Sequence, residues 1–168
     1  MRGRFAKQQD VSDDACGKVE YHPCVVKEWR SLITELEKKS FAAQLREVNN
    51  WGNKHPYIVD QLNWGLEDFW EMPYEFMTVN GDCEDYAIAK YYTLRAMGIP
   101  AEKLRIIILQ DLNLGGIIHA ILGVYNDENE LFVLDNQAEQ VIPALKIYHY
   151  RPIYGLNEQA WWAYNPQK

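Results

Sequence analysis

Helix-like and strand-like patterns are segregated along this chain, and their order constrains the fold more than any other feature. Before Leu104 apolar positions recur with helical spacing; after it they gather into short β-rich runs. Alternating strands and helices would give a parallel sheet, whereas helices followed by strands predict an α+β fold. From about Pro23, Trp29, Leu32, Ile33 and Leu36 follow the i, i+3, i+4, i+7 pattern, with Lys27, Glu28, Glu35 and Lys38 falling mostly elsewhere. Phe41, Leu45 and Val48 predict a second helix, with Ser40 as its N-cap. Residues 49–80 are aromatic-rich and broken by Gly52, Pro56, Gly65 and Pro73, so they read as short helices and loops. Trp51, Trp64, Phe69, Trp70, Tyr74 and Phe76 are expected there as core or groove wall.

Good helix formers fill the stretch from Cys83 to Met97, and Gly98 followed by Pro100 is a stop signal. Asp82 is then the N-cap, Cys83 lies in the first turn and Asp85 is the third helical residue. Leu104 to Leu109 reads as a strand and Ile117 to Tyr125 as a buried one. A turn at Asp127-Glu128-Asn129 leads to a strand from Leu131 to Asp135. Val141 to Tyr154 offers more strand material, which Pro143 and Pro152 limit to short or edge pieces. No internal repeat is present.

With 168 residues the chain has room for one domain, expected over residues 21–168 behind a flexible segment over residues 1–20. A net charge of −7, from 24 Asp and Glu against 17 Lys and Arg, argues against a phosphate-backbone partner. Nothing approaches the roughly 20 apolar residues of a membrane span. The basic start Met1-Arg2-Gly3-Arg4-Phe5 is not followed by an apolar stretch, so it does not read as a signal peptide as it stands. Of three cysteines, Cys16 and Cys24 are close enough in sequence to close a small loop in an oxidising compartment, and Cys83 stands apart.

The string Gly81-Asp82-Cys83-Glu84-Asp85-Tyr86 sets a thiol among three carboxylates. Nearby negative charge raises a thiol's pKa, yet the thiolate is the reactive form. The positive end of the helix offsets part of that charge. A calcium ion would offset more, since it takes 6 to 8 oxygen ligands and Asp82, Glu84 and Asp85 could supply several. Solvated helix-cap acids are the alternative. Zinc is disfavoured, because no CxxC pair is present and Cys83 would be consumed as a ligand.

His119 interrupts the apolar run Ile117-Ile118-His119-Ala120-Ile121-Leu122, where a polar side chain needs a partner. An antiparallel hairpin centred on Asp127 would place it opposite Asp135 on one face, although a slip of one residue would separate them. His22 and His55 lie in Pro-flanked turns and His149 between tyrosines, so their claims are weaker. His119 could be a hydrogen-bonded core residue and Asp135 a strand end. Together with Cys83 they give a nucleophile, a base and an orienting acid in the order Cys, His, Asp, with helix-start N–H groups available to an oxyanion.

The run GDCEDYAIAKYYTLRAMGIP, with DFWEMPYEFM before it and HAILGVY and FVLDNQ after it, resembles the bacterial transglutaminase-like cysteine proteinases over about Trp29 to Tyr164. The resemblance implies a papain/transglutaminase-like fold, with the nucleophile at a helix start packed on an antiparallel sheet. It implies Cys83 as nucleophile, His119 as general base, Asp135 as the acid, and Asp82, Glu84 and Asp85 as calcium ligands. It also implies a periplasmic calcium-dependent endopeptidase that cuts a large surface adhesin near its N-terminus at a pair of alanines, promoting biofilm dispersal. Its implied regulator is an inner-membrane cyclic-diguanylate receptor that sequesters it. The same triad could serve an acyltransferase, if an amine rather than water captured the thioester, and an aromatic groove could serve a non-enzymatic binding module.

Overall fold

A computed structural model describes residues 23–164. The pairing of Cys16, the surroundings of His22 and the segment 1–20 therefore lie outside the described residues. Among the described residues five helices come first: α1 (Pro23–Leu36), α2 (Phe41–Gly52), α3 (Asp60–Asn63), α4 (Pro73–Val79) and α5 (Cys83–Ala96). Six strands follow: β1 (Leu104–Asp111), β2 (Ile117–Tyr125), β3 (Leu131–Leu134), β4 (Ile142–Pro143), β5 (Tyr150–Leu156) and β6 (Trp161–Ala163). They form one antiparallel sheet in the order β4-β3-β2-β1-β5-β6, the α+β arrangement expected from the sequence.

α5 is the axis of the molecule. Its residues are buried on nearly every side, because the sheet covers one flank while α2 and α4 cover others, so its sequence carries no polar face. Ala87, Ile88, Tyr91 and Leu94 pack on Leu104, Ile106, Ile108, Ala120, Leu122 and Val124 of the sheet, with Leu36, Leu45 and Val48 closing the cluster. Burying each such large apolar side chain contributes roughly 1.5–3 kcal/mol. A second cluster joins Trp29 of α1 to Phe76, Met77, Tyr86 and Ala89, and the Trp29 indole donates to Thr93 Oγ1 at 2.8 Å. Ile107, Leu109, Ile121 and Val133 form a third cluster on the other face of the sheet.

Two strand expectations need correction. Ile117 and Ile118, read as buried, are 51% and 59% exposed, because β2 is covered only from His119 onward. The expectation for Pro152 holds: β6 covers β5 only from Tyr154 to Leu156, so Pro152 pairs with Leu109 of β1 on one side and lies at an open edge on the other, where a missing N–H costs nothing; the β1–β5 register shifts between Ile108 and Leu109 beside it. The β2–β3 hairpin pairs Leu122 with Leu134 and Val124 with Phe132, a register two residues away from the expected one. The position across from Asp135 is thus that of Ile121 rather than His119. A shift of two preserves the face, so His119 and Asp135 remain neighbours on a diagonal.

Candidate active site

The segment before α5 is shaped by Asp85. Its carboxylate accepts the Asp82 N–H at 3.0 Å and the Glu71 N–H at 2.7 Å, and no part of it reaches solvent. The side chain folds over Gly81, where a Cβ would stand 2.7 Å from Asp85 Cβ, so no larger residue fits. Asp82 is extended at the N-cap and Cys83 opens the helix, as the sequence predicts. A bridge from Tyr57 to Gly81 and the Ile58 N–H bonded to Gly81 O tie this turn to the preceding loop.

That loop brings acids which sequence reading did not connect with the site. Asp60 and Glu71 are each 1% exposed. Asp60 accepts the Phe69 N–H, and Glu71 accepts the Trp64 indole N–H at 2.6 Å. Asp60 Oδ1, Glu71 Oε2 and Asp82 Oδ1 are buried without a hydrogen-bond partner. The ion pairs formed among the described residues leave out Asp60, Glu71, Asp82, Glu84 and Asp85. Burial pushes Asp60 up, Glu71 up to about 7, Asp85 to about 8 and Glu84 to about 9; neighbouring carboxylates push each the same way. Buried acids with orphaned oxygens and no cation are the donor set of a hard divalent ion.

In three groups the possible ligating atoms lie within 4.8 Å of one another: Asp82, Cys83 and Glu84; Asp60, Asp68 and Glu84; and Asp60, Glu71 and Asp85. The structure therefore brings Asp82 together with Glu84, and sets Asp85 with Asp60 and Glu71. The added acids come from the stretch read only as aromatic groove wall. Of those aromatics Phe76 is fully buried, Trp64 is 38% exposed and pairs with Phe69 at 4.8 Å, and the others fall between.

Cys83 is half-buried and its Sγ lies 3.2 Å from Glu84 Oε2. Burial and the Glu84 charge push the thiol well up, while the Ala120 backbone N–H works in the opposite direction. The neighbour of Ala120 is His119, buried to 2% exposure, whose Nε2 meets Asp135 Oδ1 at 2.9 Å. Asp135 also accepts the Gln137 N–H at 2.9 Å and the Tyr150 hydroxyl. Burial alone would raise this carboxyl, but hydrogen bonds from His119, Gln137 and Tyr150 outweigh it and hold it below its ordinary value. With Nε2 engaged by Asp135, Nδ1 is the ring nitrogen left to exchange a proton with a thiol. Tyr150 carried no signal in the sequence, since its role depends on where β5 joins the sheet. His149 stands 4.0 Å from Asp111, apart from this group, and His55 packs on Phe76.

The family described as bacterial transglutaminase-like cysteine proteinase matches residues 14–167. Among solved structures, calcium-bound LapG of Legionella pneumophila is 30% identical with a TM-score of 0.77, over 99% of this chain and 90% of that one. EGTA-treated LapG of the same organism gives a TM-score of 0.78 at 30% identity, over 99% of this chain and 87% of that one. A putative cysteine protease from Cytophaga hutchinsonii, 15% identical with a TM-score of 0.51 over 94% of this chain and 60% of that one, shares the fold. No curated protein matches the chain.

Proposed function

Because the chain belongs to the bacterial transglutaminase-like cysteine proteinases, we propose that it is a calcium-dependent endopeptidase acting through Cys83, His119 and Asp135. The observation that carries this reading is a helix-start cysteine beside a buried His119–Asp135 pair, with uncompensated acids at the same turn. Asp135 fixes the imidazole through Nε2, which presents Nδ1 as the base for the Cys83 proton. The sulfur then attacks a peptide carbonyl, and the leaving amine takes the proton back from His119. The Cys83 N–H belongs to the first helical turn, where it has no partner within the helix and can donate to the oxyanion. Oxygens of Asp82, Glu84 and Asp85, with Asp60 and Glu71 among the neighbouring donors, would hold a calcium ion, which would supply positive charge that favours an ionised thiol among carboxylates.

The substrate in this reading is a large surface adhesin of the LapA type, cut near its N-terminus at paired alanines so that cells leave a biofilm. The location is the periplasm; no helix among the described residues is long and apolar enough to cross a membrane. The partner is the periplasmic domain of a LapD-type cyclic-diguanylate receptor, and Trp161, 69% exposed, is one aromatic available to such a surface. Incubating the protein with an N-terminal adhesin fragment in calcium, and in EGTA, tests the reading. Cleavage between two alanines in calcium alone is expected. An intact fragment in calcium would refute the substrate, and products joined to an amine instead of carrying water would identify an acyltransferase.

A further inference from the structure

Lys90 is a fully buried charged side chain that the chemistry above does not use. It lies seven residues after Cys83 on α5, about two turns and ~10 Å further along the same helix face. Its Nζ donates to Asn49 Oδ1 at 2.8 Å and Asn53 Oδ1 at 2.7 Å. Both amides then turn their nitrogens to the loop that carries Asp135. Asn53 Nδ2 donates to Asp135 O at 2.9 Å and to Ala138 O at 3.0 Å, and Asn49 Nδ2 donates to Ala138 O at 2.8 Å. We propose that Lys90 is a positioning residue which, through Asn49 and Asn53, fixes the Asp135 loop relative to the nucleophile helix and so sets the His119–Asp135 pair.

The chemistry makes the arrangement directional. Lys90 donates and main-chain carbonyls accept, so flipping either amide would set N–H against N–H and oxygen against oxygen. Lys90 thus dictates which end of each amide faces the loop. Asn49 and Asn53 are four residues apart on α2 and its C-cap, one face of one helix, as a clamp with two jaws requires. Gly52 lies between them, and a Cβ there would stand 2.6 Å from Lys90 Cε, so the lysine stem uses space that any other residue would fill. A glycine in a helix lowers stability, which is accepted here in favour of a buried polar group. An apolar side chain would fill the same volume without fixing amide orientation, so geometry rather than packing is what the lysine adds.

Burial pushes Lys90 down to about 7, opposed by the charge of Asp135. Ammonium and amine alike carry hydrogens for both asparagine oxygens. The Tyr86 ring lies 5.7 Å from Nζ, and His119 and Tyr150 are the titratable groups on the far side of Asp135.

The proposal rests on the protease reading, and its test separates the two. Alkylation of Cys83 by iodoacetamide, located by peptide mass, is followed against pH in calcium for the wild-type chain, Lys90→Met and Asn53→Ala. Peptide kcat, KM and melting temperature are measured beside it. Both variants are expected to lower kcat by about tenfold with KM within about twofold, and to move the rise of alkylation up by about one pH unit. Wild-type kcat and an unmoved profile in a folded variant would overturn the proposal, as would a lower melting temperature alone. Should Lys90→Met fail to fold, Asn53→Ala decides by the same readouts, since Asn49 still holds Ala138. An unreactive wild-type Cys83 would bring down the protease reading and this proposal together, whereas reactive wild type with unchanged variants overturns this proposal only.

Discussion

At Gly81 the space for a side chain is taken by Asp85, and the two residues explain each other. Gly81→Ala should therefore cost about 1–3 kcal/mol through overpacking, visible as a lower melting temperature. It should also loosen Asp85 from the Asp82 and Glu71 N–H groups and weaken calcium binding in a titration. Cys83→Ala removes only a half-buried sulfur, so its melting temperature should stay near wild type while peptide hydrolysis disappears; residual cleavage would rule out this nucleophile. Asp135→Asn keeps the shape of the acid but removes the charge that supports an imidazolium, and a loss of about 10²–10⁴-fold in kcat is expected. Tyr150→Phe deletes one of three donors to a charged carboxylate. Stability should fall by about 1.5–3 kcal/mol, with a smaller loss of kcat than for Asp135→Asn.

The start of α5 and the loop before it behave as one element, because Asp60, Glu71, Glu84 and Asp85 share a buried pocket. Burial has raised Glu71, Asp85 and Glu84 to about 7, 8 and 9, from the ordinary range of 3.8–4.5. The metal-free folded chain thus holds protons that the unfolded chain has released. This contribution to stability is fully present below about pH 4 and is lost as pH rises through 7 to 9. Calcium held by the ionised carboxylates would reverse the trend, so its stabilisation should be larger at pH 8 than at pH 6. Melting curves in calcium and in EGTA at the two pH values check this; an increment that shrinks with pH would contradict the metal assignment. Much of this element was legible in sequence: the N-cap at Asp82, the first-turn cysteine and the stop at Gly98 are local signals. Asp60 and Glu71 were not, because their carboxylates reach the site only through the fold of an aromatic-rich loop. Lys90 was equally hidden, for its partners Asn49 and Asn53 lie about forty residues earlier in the chain.

At the scale of the whole molecule, the segregation of helices from strands conveyed the class, because each pattern follows from local periodicity. Register did not follow, since it depends on turn geometry. The hairpin register fell two residues from expectation, whereas Pro143 and Pro152 do stand where one side of the strand is open. Only the evenness of that shift kept His119 beside Asp135. The fold sets Cys83 at the start of a central helix, His119 on β2 and Asp135 just past β3, so in the proposed mechanism the two layers must hold their alignment for the site to work. A di-alanyl chloromethyl ketone probes that alignment directly, because it labels a cysteine only when thiolate, base and substrate groove act together. Intact mass and peptide mapping should show one adduct, on Cys83, forming in calcium, forming far more slowly in EGTA, and absent in His119→Ala. Labelling at the same rate in EGTA, or in His119→Ala, would contradict a calcium-dependent Cys83–His119 nucleophile.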